Sequence, residues 1–157
     1  MKFAQLRPIL FILLLLTTAF PAAVAQPPLG QWREHLPWNS GIGVAAAYDR
    51  IYCATSSALM YVHLTDRSVY RLSRVNGLAE TGISLLAKNE TTGRLIIAYQ
   101  NSNIDLVERN TIRNISDIKR KTISGDKTIY RIFSKNNLSY ICCGFGVVVI
   151  NEDRRET

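Results

Sequence analysis

From about residue 43 onward, short runs of Ile, Val, Leu and Tyr alternate with clusters of Gly, Asn, Asp and Ser. That punctuation predicts β-strands joined by tight turns. The apolar runs lie at 43–47, 50–55, 59–64 and 69–72; at 83–87, 94–99, 104–107 and 111–115; and at 129–134, 138–143 and 147–150. None sustains the apolar spacing of a helix. One helical turn is expected within 115–121.

The strands recur in groups. The strands after the first turn of each group begin at Ile51, Leu95 and Leu138, steps of 44 and 43 residues. Two further landmarks keep nearly the same step: the polar turns at Ser56-Ser57, Gln100-Asn101 and Gly144 to Gly146, and those at Asp66-Arg67, Glu108-Arg109 and Glu152-Asp153. A period of about 44 residues with four short strands is the signature of a β-propeller blade. Strand character agrees. Leu95-Ile96-Ile97-Ala98 is apolar throughout, as a strand covered on both faces must be, and Thr111 to Ile115 is more polar, as an outer edge requires. The expected fold class is therefore all-β: an incomplete β-propeller of about three four-stranded blades at 42–80, 83–124 and 129–157. A sandwich or solenoid would not need so regular a step. Closed propellers have about four to eight blades, so the expectation is the opening part of a longer protein, its third blade ending before the outer strand.

The N-terminus reads as an export signal over 1–25. Lys2 and Arg7 precede an unbroken apolar stretch from Ile9 to Leu16, and Ala23-Val24-Ala25 supplies a small-x-small cleavage pattern. The stretch is too short for the ~20 residues of a spanning helix, so no transmembrane segment is expected after cleavage. Residues 26–41 form a lead-in segment before the first blade.

Composition narrows the function. The formal net charge of +7 includes the two signal-peptide cations, so the exported part is mildly basic, suited to anionic surface polymers and not to nucleic acid. Cys53, Cys142 and Cys143 are odd in number and lack metal-ligand spacing. Each sits in an apolar run, which favours buried thiols over a disulfide from Cys53. His35 and His63 are the only histidines, the aspartates are scattered in turns, and Gly41-Ile42-Gly43 and Gly144-Phe145-Gly146 lack the ending of a phosphate loop. No catalytic residues, cofactor or metal are assigned.

The segments between strands carry a family likeness. Trp32 to Asn39, Val75-Asn76-Gly77-Leu78, Ile97 to Leu106, Asn114 to Lys121, Gly125 to Ile129 and Cys143 to Val149 together resemble the N-terminal propeller region of the PorZ-like family, surface components of the type IX secretion system of Bacteroidetes. The likeness runs from Trp32 onward; the Asn76-Gly77-Leu78 turn also occurs in the wider group of two-component-regulator propellers. It implies a non-enzymatic binding and assembly module, exported to the periplasm or the outer-membrane surface. The implied partners are subunits of the attachment complex and anionic lipopolysaccharide. The rival reading is the periplasmic sensor propeller of a hybrid two-component regulator.

Two clusters are candidates for binding. Arg113, Lys119, Arg120, Lys121 and Lys127 could pair with phosphate or carboxylate groups of a glycan, or simply form a solvated connection between blades. Trp32 and Trp38, with His35 nearby, could stack on a sugar ring, or pack the lead-in segment against the blades.

Overall fold

The computed structural model describes residues 35–154 and residue 156. The expected signal peptide over 1–25, most of the lead-in segment and Trp32 lie outside the described residues.

All eleven expected strands form. The first sheet holds β1 (Gly41–Ala47), β2 (Arg50–Thr55), β3 (Leu59–His63) and β4 (Val69–Leu72). The second holds β5 (Ile83–Lys88), β6 (Leu95–Tyr99), β7 (Ile104–Glu108) and β8 (Thr111–Ile115). The third holds β9 (Ile129–Lys135), β10 (Leu138–Cys143) and β11 (Gly146–Asn151). Each sheet is an antiparallel meander in chain order, so every connection inside a sheet is a short hairpin. Two of these hairpins place Gly93 (φ 74°) and Asn136 (φ 55°) in the left-handed region, which glycine and asparagine tolerate best. The innermost strands β1, β5 and β9 run side by side in that order. Three radial sheets of four, four and three strands make an incomplete β-propeller.

Successive side chains of a strand point to opposite faces, and β6 shows the consequence. Leu95, Ile97 and Tyr99 enter one core with Tyr52, Ala54 and Leu59 of the first sheet. Ile96 and Ala98 enter a second core with Ile141, Cys143 and Ile150 of the third sheet. The whole of β6 is buried, as its unbroken apolar run predicts.

The single turn α1 (Asp117–Arg120) comes after β8 and drops Ile118 into the second core. The cysteines depart in part from expectation. All three are free thiols, and Cys143 is buried, but Cys53 is half-buried and Cys142 exposed. Cys142 points to the face of the third sheet that no neighbouring sheet covers among the described residues, so an apolar run does not bury it.

Candidate functional site

The connection between the first two sheets is fixed by side-chain oxygens. Asn76 Oδ1 accepts from the Ser73 amide at 2.5 Å, and Asn76 Nδ2 donates to the Arg71 carbonyl at 2.9 Å. Gly77 (φ 144°) then allows the chain to turn and bury Leu78 in the first core. Beyond it, the Ala79 amide donates to Asp105 Oδ2 at 2.8 Å. Asp105 is fully buried and also accepts from the Tyr99 hydroxyl at 2.6 Å and from Asn114 Nδ2 at 2.9 Å. Burial, reinforced by the bond to Asp105, pushes the Tyr99 phenol well above its ordinary range. The phenol is therefore a permanent donor.

The basic cluster divides in two. Lys119 pairs with Glu80, and this hydrogen bond holds the Glu80 carboxyl below its ordinary value. Lys127 Nζ donates to the carbonyls of Lys119 at 3.0 Å and Lys121 at 2.5 Å. Lys127 thus binds the connection to itself, and Lys119 ties it to the 79–80 linker. Arg113 on β8 and Arg120 and Lys121 after it are exposed, with Asp117 standing among them. Asp126 is held by its own loop. Its carboxylate accepts from Thr128 Oγ1 and from the Tyr130 hydroxyl, both at 2.6 Å, and those bonds hold it below its usual range. The same loop presses on Gly144, where a Cβ would meet Asp126 atoms at 2.6–2.8 Å. Only glycine fits there.

Trp38 is half-buried, with the Arg71 guanidinium 5.1 Å from its ring centroid. That cation–π contact packs the end of the lead-in segment against β4. Both ring nitrogens of His63 are engaged: Nδ1 lies 3.0 Å from Asp49 Oδ2, and Nε2 accepts from Arg50 Nε at 3.2 Å. Among the described residues, no three His, Cys, Asp or Glu side chains gather as metal ligands.

The structure also brings out residues that the pattern of strands and charges leaves unmarked. Arg50 reaches from the first sheet to the second, donating to the Arg109 carbonyl at 2.7 Å and Asn110 Oδ1 at 2.5 Å. Arg94 does the same one sheet on, donating to Asp153 Oδ1 at 2.7 Å. Beside it, the fully buried Glu152 accepts from Asn89 Nδ2 (2.6 Å), Thr92 Oγ1 (2.8 Å) and Ser139 Oγ (2.6 Å). The recurrence of Arg50 and Arg94 at the 44-residue step was the readable signal. A cleft of about 450 Å³ opens between the first two sheets, lined in part by Arg50, Tyr52, Tyr61, Asn76, Arg109 and Asn110. Arg50 donates to three acceptors, and the Tyr52 hydroxyl is buried beside its guanidinium without a well-formed hydrogen bond among the described residues.

This architecture has relatives among known proteins. A family profile described as the PorZ N-terminal β-propeller domain of the type IX secretion system matches residues 51–157. Among solved structures, one described as PorZ, an essential bacterial surface component of the type-IX secretion system of Porphyromonas gingivalis, matches with a TM-score of 0.66 at 23% identity. The match covers 72% of this chain but 15% of that one. No curated protein matches.

Proposed function

Because this chain belongs to the family of PorZ N-terminal β-propeller domains of the type IX secretion system, we propose that it is a non-enzymatic binding and assembly module at the cell surface, meeting anionic lipopolysaccharide through its loops and partner subunits through its blades. One observation carries the glycan half. Of the five cations singled out in the sequence, Arg113 on β8 and Arg120 and Lys121 on the connection that follows it remain exposed to solvent. Guanidinium and ammonium groups so placed suit phosphate or carboxylate substituents of a glycan. Trp38 is taken up by Arg71 and serves packing in this reading. Export fits the N-terminal sequence, and no described helix is long and apolar enough to cross a membrane.

The test is binding of the full chain to lipopolysaccharide micelles at low and at physiological salt. A triple variant, Arg113→Gln with Arg120→Gln and Lys121→Gln, is expected to lose about tenfold or more in affinity. The remaining binding should be less sensitive to salt, since exposed charges are screened over about 8 Å at physiological strength. Lys127→Gln should lower stability more than affinity. Undiminished binding by the triple variant would remove the glycan half of the proposal.

A further inference from the structure

The joint between the second and third sheets holds its arginine between two carboxylates. Arg94 donates to Asp153 Oδ1 at 2.7 Å and lies 3.7 Å from the fully buried Glu152. Arg50 occupies the same place in the joint between the first and second sheets, 44 residues earlier. Its surroundings differ in charge.

Strand pairing fixes the correspondence. Leu95 faces Val107 across the second sheet, and Ser139, 44 residues after Leu95, faces Ile150 across the third. Val107 therefore matches Ile150, and counting onward from each matches Arg109 with Glu152 and Asn110 with Asp153. The hydrogen bonds agree: Arg50 donates to Asn110 Oδ1 at 2.5 Å where Arg94 donates to Asp153 Oδ1. The first joint thus has an amide and a second cation where the next has two carboxylates.

The cleft of about 450 Å³ opens at this place, a size that ligand sites commonly have, and no carboxylate lines it. Its unspent polar groups are donors. The Arg109 guanidinium is exposed, 5.3 Å from the Tyr48 ring centroid, and forms no ion pair among the described residues. Asn110 gives its Oδ1 to Arg50, which leaves its Nδ2 to donate elsewhere. The fully buried Tyr52 hydroxyl lies beside the Arg50 guanidinium, itself a donor, so the hydroxyl hydrogen lacks an acceptor among the described residues. The neighbouring carboxylates are engaged. Asp49, in the adjoining recess, lies 3.0 Å from His63 Nδ1 and 3.6 Å from Arg50 Nε, and Glu108 turns to Arg94 at 3.3 Å.

We propose that this cleft is an oxyanion site: a phosphate or carboxylate group from outside the chain takes the role that Glu152 and Asp153 fill in the next joint, accepting from Arg50, Arg109, Asn110 and Tyr52. Arginine suits such groups because its planar N–H donors can meet two oxygens at once. The site is separate from Arg113, Arg120 and Lys121. Arg109 and Asn110 turn the chain from β7 into β8, whereas the connection carrying Arg120 and Lys121 leaves the far end of β8. It holds whether or not those three cations meet a glycan.

The test is a titration of the full chain with inorganic phosphate, and separately with acetate, at constant ionic strength, followed by NMR of the arginine Nε–H and asparagine side-chain signals. Saturable shifts of Arg50, Arg109 and Asn110 are expected with at least one of the two anions. Arg109→Gln should weaken binding about tenfold, the worth of a charge-assisted hydrogen bond. Tyr52→Phe should weaken it about threefold at unchanged net charge, which a diffuse attraction of anions would not do. Asn110→Asp, which supplies the carboxylate of the next joint, should abolish the response and raise the melting midpoint. The triple variant of Arg113, Arg120 and Lys121 should respond as wild type does. Lipopolysaccharide micelles identify the source: binding lowered by Arg109→Gln marks a group carried by the glycan, and binding left intact marks a free anion. Three outcomes would overturn the proposal: no saturable response of wild type to either anion, equal affinities in wild type and Tyr52→Phe, or an Asn110→Asp variant that still binds as wild type does.

Discussion

Two buried polar groups are opposites in what they contribute. Asp105 collects three donors, from Ala79, Tyr99 and Asn114. Asp105→Ala strands the Ala79 amide and the Tyr99 hydroxyl, whereas Asn114 Nδ2 keeps Asn103 and the Ile104 carbonyl as acceptors; a buried donor without an acceptor costs about 1–3 kcal/mol. The expected loss is at least ~2 kcal/mol, read from the midpoint of urea denaturation. Tyr52 is the reverse case. Its hydroxyl is buried with only the Arg50 guanidinium beside it and no well-formed hydrogen bond among the described residues, while its ring fills the first core. Tyr52→Phe keeps the ring and discards the stranded group, so stability should stay level or rise by up to ~1 kcal/mol. A clear fall in the melting midpoint would mean that the hydroxyl is bonded in solution. Neither role could be read from the sequence, because the acceptor count of a strand aspartate such as Asp105, or of a strand tyrosine such as Tyr52, is not a local signal. Their difference lies in the residues that folding sets around them.

At the scale of elements, the joints between sheets are polar clasps over apolar cores. Glu152 closes the third sheet onto Asn89 and Thr92 of the second. Glu152→Ala should therefore raise amide exchange in β9 to β11 well before β6 and β7, as local opening precedes global unfolding. Uniform acceleration across all three sheets would contradict this. A second clasp is pH-dependent. The hydrogen bond from Lys119 lowers the Glu80 carboxyl from its ordinary 4.5. A carboxyl whose folded value is depressed stabilises the fold above its unfolded value and loses that contribution as pH falls through the folded one. Acidification below about pH 4.5 should thus loosen α1 from the 79–80 linker, and Glu80→Gln should remove the dependence. The strands were legible because their apolar runs and turn residues are local signals. The division among the five cations was not, since charge counting cannot show that Lys127 folds back onto two carbonyls.

For the whole molecule, the regular step announced a propeller, and three radial sheets bear it out. The fate of Cys142 was hidden for a reason of the same scale: periodicity says which way a residue points but not whether anything stands opposite. β6 carries this logic furthest. Its neighbouring residues Ile96 and Ile97 belong to different cores, and truncating either to Ala should cost about 2–5 kcal/mol. Cys142→Ala, on an uncovered face, should fall within about 0.5 kcal/mol. A saturation library scored for folded yield would then give β6 an even profile of intolerance, whereas β2 and β10 would swing between permissive and strict at every other codon. The middle strand works as a party wall between two rooms. Damage to either surface is felt next door, so its mutational load can be met only by compensations in both neighbours.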